Sequence, residues 1–251
     1  MRTFVSLVCV ACVLGLNPIM MAQESRQAQH VKSFKGKVSK SVRAEFWLYL
    51  PEDYSAKSRK RWPLILFLHG AGERGNDMSK VAAHGPPKLV KQGRVFPFII
   101  VSPQCPNDQR WDNDVLLALL DEVREKYKVD SNRIYLTGLS MGGYGTWSLG
   151  MTHPDLFAAI APICGGGDLV DVLLAEKKKA SALKTLAVWA FHGARDPVVK
   201  PEESQRMVEA LKKFGCKEVE LTVYPEAHHD SWTETYNNPK LYEWFLAHQR
   251  K

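Results

Sequence analysis

Five short, unbroken apolar runs recur along the chain, at Leu64–Leu68, Phe98–Val101, Ile134–Leu136, Ala158–Ile163 and Leu186–Phe191, followed by the strand-like Val219–Tyr224. A strand that is apolar on both faces has to be covered on both faces. Helix-patterned stretches stand between the runs. One lies near Ser79–Gln92. Another, capped by Asp112, carries Val115, Leu116, Leu119, Leu120, Val123 and Tyr127 at helical spacing. A third opens on Pro201-Glu202-Glu203 and closes on Lys212-Lys213 and Gly215, and a last one opens on Asn238-Pro239. Strands alternating with helices predict an open α/β fold, with a mostly parallel sheet and helices on both faces. Ahead of the runs, Val42, Ala44, Phe46, Leu48 and Leu50 alternate with polar or aromatic neighbours up to Pro51. That pattern predicts a half-buried antiparallel strand, paired in a hairpin with Val31–Val38, for about eight strands in all. No segment is long enough to form a large lid.

A chain of 251 residues with 45% hydrophobic content is most simply one domain, burying roughly 70% of its unfolded surface. The domain is expected over residues 35–251. Residues 1–22 read as a secretory signal peptide, with Arg2, an apolar stretch from Phe4 to Leu16 and a polar exit at Asn17-Pro18 and Ala22-Gln23. Residues 23–34 would be a flexible lead-in. Export to the periplasm or medium follows from that reading, and a lipid anchor at Cys12 would leave an unusually short apolar segment before it. No other run is long enough to span a bilayer. The net charge of +7 is scattered, and the clusters Lys57–Arg61 and Lys177–Lys179 read as solvated faces rather than a nucleic-acid site. Without the leader three cysteines remain, Cys105, Cys164 and Cys216. Cys105 and Cys164 follow strands expected three positions apart, roughly 14 Å, beyond the ~7 Å that a disulfide spans. No bridge is expected between them.

Ligands of open α/β sheets sit beyond the carboxyl ends of the strands, and four such places carry chemistry. After Ile134–Leu136 comes Gly138-Leu139-Ser140-Met141-Gly142-Gly143, a strand, a sharp turn and then a helix. That is the setting of a strained turn that lifts a serine hydroxyl clear of the sheet. After Leu64–Leu68 comes His69-Gly70-Ala71-Gly72, whose small residues admit backbone amides close to a substrate oxygen; Ala71 and Met141 are the candidate oxyanion donors. After Leu186–Phe191 comes Asp196, a carboxylate able to orient a histidine, with Asp230 as a rival. After Val219–Tyr224 come His228 and His229, adjacent candidates for a general base. The order Ser, Asp, His fits this architecture. Trp111 is a candidate wall for the acyl or sugar side of the pocket, with plain packing as the other reading. Arg74 is expected to pair with Glu73 or Asp77. No His, Cys or carboxylate spacing resembles a zinc site.

Leu68-His69-Gly70-Ala71-Gly72-Glu73-Arg74-Gly75, the Gly138–Gly143 turn, His192-Gly193-Ala194-Arg195-Asp196 and His229-Asp230-Ser231-Trp232 together resemble the α/β-hydrolase superfamily. More closely they resemble the phospholipase/carboxylesterase and "predicted peptidase" esterases, with secreted feruloyl and polyhydroxybutyrate-type esterases as relatives. The resemblance implies Ser140 as nucleophile, Asp196 as acid, and His229, the histidine before Asp-Ser-Trp, as base. It implies amides of Ala71 and Met141 at the oxyanion and no cofactor. The expected activity is hydrolysis of carboxylic esters, on small molecules or acylated polysaccharide. A peptidase with the same triad and a non-catalytic binder on the same scaffold are the rivals.

Overall fold

The computed structural model describes residues 31–250, so the signal-peptide reading of residues 1–22 lies outside the described residues. The chain divides into two units, Met1–Lys40 and Ser41–Lys251. In the first, residues 31–40 take no regular secondary structure. The expected Val31–Val38 strand is therefore absent. Val31, Phe34 and Val38 are almost fully exposed, and a strand with no buried face has little to hold it in a sheet.

The second unit carries a seven-stranded sheet, one strand fewer than expected, in the order β1-β3-β2-β4-β5-β6-β7. The strands are β1 (Phe46–Tyr49), β2 (Trp62–Leu68), β3 (Ile99–Pro103), β4 (Val129–Leu139), β5 (Ala159–Ile163), β6 (Ala187–Gly193) and β7 (Val219–Tyr224). β1 runs antiparallel against β3, and every other pairing is parallel. With the hairpin partner missing, β1 takes its hydrogen bonds from β3 instead. The helices are α1 (Gly85–Lys91), α2 (Asn113–Lys126), α3 (Met141–Thr152), α4 (Val170–Leu173), α5 (Lys177–Leu183), α6 (Glu202–Phe214), α7 (Trp232–Asn237) and α8 (Pro239–Ala247). The helix expected near Ser79–Gln92 is two pieces, a 3₁₀ turn at Met78–Ala83 and α1. They break at His84, which is extended, and α1 then opens on Gly85, which has φ +67 and a Cβ position only 2.4 Å from the Phe67 ring.

Period two along the strands sorts side chains into two cores. Leu64, Leu66 and Leu68 face a core shared with Leu116 and Leu120 of α2, Trp147 of α3 and Met207 of α6. Ile65 and Phe67 face the other, with Tyr236 of α7 and Leu241, Tyr242 and Phe245 of α8. Each fully buried aliphatic side chain contributes about 2 kcal/mol. The caps read from sequence are present: Asp112 accepts from the amides of Asp114 and Val115, Asn238 accepts from Lys240, and Gly215 ends α6 at φ +90. Cys105, Cys164 and Cys216 are buried free thiols, and β3 and β5 stand three positions apart. The sheet brings the C-terminal ends of β2, β4, β6 and β7 to one edge, where the candidate residues lie.

Candidate active site

Ser140 sits between β4 and α3 with φ +53 and ψ −114, a backbone conformation that an L-residue adopts only under strain. Its surroundings enforce it. A Cβ on Gly138 would lie 2.4 Å from the Gly142 carbonyl oxygen, and one on Gly142 would lie 2.0 Å from that of Leu68. Leu68 pairs with Gly138 across β2 and β4, so strand, turn and helix close on one another with no room for side chains. The Ser140 amide donates to the Ile163 carbonyl at 3.0 Å.

The Ser140 hydroxyl stands 2.9 Å from Nε2 of His229, and Nδ1 of His229 stands 2.7 Å from Oδ2 of Asp196. The other carboxylate oxygen, Oδ1, accepts from the amides of Val198 at 2.8 Å and Val199 at 3.0 Å. Asp196 is 3% exposed. Burial works against its charge, but the hydrogen bonds from His229, Val199 and Val198 outweigh that and hold the carboxyl below its ordinary value. The acid and base loops are stitched together. The Arg195 amide donates to the Ala227 carbonyl, and Gly193 has no side chain because the His228 carbonyl oxygen would lie 2.1 Å from its Cβ. His228 is exposed. The rival acid, Asp230, accepts from the amide and hydroxyl of Thr233 instead. Trp232 sets its ring edge-on to His229, 5.2 Å away at 88°.

Behind the β2 loop, His69 is fully buried. Its Nε2 accepts from the Cys105 amide at 3.0 Å, which leaves the proton on Nδ1 to bond the Gly70 carbonyl at 2.6 Å. Burial pushes this imidazole down to about 4, against the pull of the Gly70 carbonyl. The Gly70 amide donates to Oε2 of Glu73 at 2.9 Å, which closes the 3₁₀ turn Ala71–Glu73. Arg74 forms neither of its expected ion pairs. It donates to the carbonyls of Ala71 and Gln109, because Glu73 is already engaged by Gly70.

A cleft of about 640 Å³ opens beside Ser140, walled by Arg110, Trp111, Met141, Tyr144, Gly166 and Gly167. Trp111 does three things here. Its Nε1 donates to the His69 carbonyl at 3.1 Å, its ring packs on His69, and its side chain walls the cleft. Tyr144, Gly166 and Gly167 were not singled out from sequence as cleft residues, though Tyr144 follows Gly143 by one position. Cys164, Asp196 and His229 bring three potential metal-ligand atoms within 4.8 Å of one another. Burial pushes the Cys164 thiol up to about 12, so its sulfur is a neutral thiol beneath the pair.

A parallel sheet with a strained serine between a strand and a helix, and a histidine bridging it to a carboxylate, defines the α/β-hydrolase class. Within that class, residues 53–240 match the phospholipase/carboxylesterase family, and the chain belongs to it. It is 35% identical over 111 residues to acyl-protein thioesterase 1 of Mycosarcoma maydis, covering 43% of this chain and 45% of that protein. It is 24% identical over 181 residues to a bifunctional acetylxylan esterase/xylanase of Neocallimastix patriciarum, covering 67% of this chain and 24% of that protein. The chain thus spans less than half the length of either curated relative. Among solved structures it is similar to a thermostable esterase, at 35% identity and a TM-score of 0.65, over 82% of this chain and 59% of the other.

Proposed function

We propose that the protein is an exported serine hydrolase that cleaves carboxylic esters through an acyl-enzyme. The observation that carries this reading is His229 standing within hydrogen-bond distance of both Ser140 and Asp196, at 2.9 Å and 2.7 Å. His229 takes the Ser140 proton as the oxygen attacks the ester carbonyl, and Asp196 stabilises the resulting imidazolium. The amides of Ala71 and Met141 receive the oxyanion; each begins a helical turn, where amides point outward and favour negative charge. The imidazolium protonates the leaving alcohol, and water repeats the sequence on the acyl-enzyme. Substrates are small esters or acylated polysaccharide. An open cleft walled by two aromatic side chains and three glycines suits a flat acyl group or sugar ring, and the leader-like residues 1–22 suit an external polymer.

A fluorophosphonate probe tests the reading on the folded protein. Ser140 is expected to carry the adduct, and Ser140→Ala to lose at least about 10⁴-fold in kcat on p-nitrophenyl butyrate. An unlabelled Ser140 in folded protein points to a binding role. Efficiency on peptide p-nitroanilides matching that on aryl esters points to a peptidase. Acetylated xylan and feruloylated sugars resolve the natural ester.

A further inference from the structure

A second histidine stands behind the acid. His192, the penultimate residue of β6, is fully buried, and its side chain and that of Asp196 both show no exposure. Its Nε2 lies 2.9 Å from the Val199 carbonyl oxygen and 3.4 Å from Oδ2 of Asp196, the same oxygen that bonds His229. Both neighbours are acceptors only, so Nε2 carries the proton. Its Nδ1 lies 2.8 Å from the Ser204 hydroxyl at the start of α6, and that hydroxyl lies 2.9 Å from the Gly165 carbonyl oxygen. With Nε2 protonated, Nδ1 is an acceptor, so the single hydroxyl hydrogen of Ser204 goes to the ring.

We propose that His192 is a positioning residue for the Ser140–His229–Asp196 reaction: its Nε2–H donates to the Val199 carbonyl of the turn that fixes the acid and lies against the Asp196 carboxylate, and its Nδ1 accepts from the Ser204 hydroxyl, which fixes the ring from α6. The proposal rests on the serine-hydrolase reading given above. The turn is gripped from both sides. Val199 donates its amide to Asp196 and accepts from His192 through its carbonyl, so losing the imidazole frees the backbone that fixes the acid. Titratable groups facing His192 are Asp196 and, beyond it, His229; from α6 the Ser204 hydroxyl meets the ring. Burial pushes the His192 imidazole down, against the opposite pull of the Val199 carbonyl and of Asp196. It therefore acts as a neutral donor and places no positive charge beside the acid. With that donor gone, the carboxylate's charge falls more fully on the His229 imidazolium, so a higher pH is needed to free the base.

The test compares His192→Leu, His192→Gln and Ser204→Ala with the full chain, using kcat, KM, pH profiles and fluorophosphonate labelling. His192→Leu is expected to lose about 10-fold or more in kcat, the scale of one buried hydrogen-bonding group left unpaired. KM should stay within about twofold, and the acid limb of the kcat/KM profile should move upward. His192→Gln, which can keep a donor near the Nε2 position, should recover most of the loss and return the limb. Ser204→Ala should lose about 3-fold, because only the hydrogen bond that fixes the Nδ1 side of the ring is cut. A His192→Leu enzyme within twofold of the parent overturns the proposal. So does a His192→Gln enzyme no better than His192→Leu, or a loss with an unmoved acid limb, since a merely structural role would lower activity at every pH. Should His192→Leu not fold, the His192→Gln and Ser204→Ala profiles decide alone. Ser140→Ala is the control for the underlying reading: full activity there sinks the serine mechanism, whereas an inactive Ser140→Ala beside an undisturbed His192→Leu sinks only this inference.

Discussion

Ser140 and His229 arrive at the same point above the sheet, one held by backbone and the other by side chains. The serine is locked by main-chain contacts: Gly138 and Gly142 press against carbonyl oxygens that leave no space for a Cβ, and the Ser140 amide is tied to β5. The histidine follows β7, in a loop stitched by backbone bonds to the acid loop, but its ring is aimed by Asp196 on one side and Trp232 on the other. A site fixed by main-chain sterics tolerates no added atom. One fixed by polar side chains tolerates changes of shape and fails when a donor or acceptor is removed. The two halves should therefore break in different ways.

The largest effect is expected on the base side. Asp196→Asn keeps the shape of the acid but removes the charge that orients and stabilises the imidazolium. The expected loss is about 10⁴-fold in kcat, with melting temperature little changed. Kinetics and a thermal melt on the same sample check it, and a loss below tenfold would contradict the role given to Asp196.

Gly142→Ala sharpens the contrast from the other side. In an ordinary helix the added methyl stabilises by up to ~1 kcal/mol. Here it would stand 2.0 Å from the Leu68 carbonyl oxygen, so β2 and α3 must part. A destabilisation of at least about 3 kcal/mol is expected, or roughly 6–12 °C in melting temperature for a chain of this size. Unlike Asp196→Asn, this variant should lose stability and activity together. A stable but inactive Gly142→Ala protein would mean that the elbow yields more easily than its contacts imply.

The elbow was the more legible half because its requirement is local. Glycines two positions either side of a serine, after an apolar run and before a helix, state the geometry within a handful of residues. The same locality made β2, β3, β5 and β6 readable, as each is a short, largely apolar run buried on both faces, and it caught the buried second half of β4 but not its polar start at Asp130–Arg133. What escaped was of two kinds. Short elements with little buried surface carry weak periodicity: in α4, Val170 and Leu173 are exposed, and α5 buries only Leu183. The lysine run at its start read as a solvated face and still opens a helix. Val31–Val38 is the expected hairpin partner of the alternating Val42–Leu50 stretch, but its apolar residues are exposed. Contacts between distant residues were the second kind. The His192–Ser204 contact joins positions 12 residues apart, and nothing in the string His192-Gly193 says which side of the acid its imidazole occupies.

A third test uses acid on the β2 loop. His69 in the folded chain sits at about 4 against a reference value of 6.5. Between those values the unfolded chain binds a proton that the folded chain refuses, so stability falls as the pH drops from 6.5 towards 4. Burial is complete, and the loss from this one group amounts to at most about 3 kcal/mol. Urea midpoints across that range measure the total, and an NMR titration of the His69 ring isolates its share. A ring that protonates near 6.5 would mean that water reaches the imidazole in solution, and the β2 loop would then be less closely packed than the buried ring indicates.

The smallest effect is the most discriminating, because it concerns two identical side chains one residue apart. His228 and His229 both follow β7, and sequence alone offers each as a base. The chain direction sends their side chains apart: His229 turns inward to Ser140 and Asp196, while His228 is exposed and contributes its carbonyl to the tight contact with Gly193. Only the backbone of His228 is engaged there, and alanine keeps that backbone. His228→Ala should therefore leave kcat and KM within about twofold and stability within ~0.5 kcal/mol, whereas His229→Ala should be close to inactive. Comparable losses in the two variants would mean that the imidazoles exchange places during turnover, and the side-chain half of the site would then be looser than a single bridging ring allows.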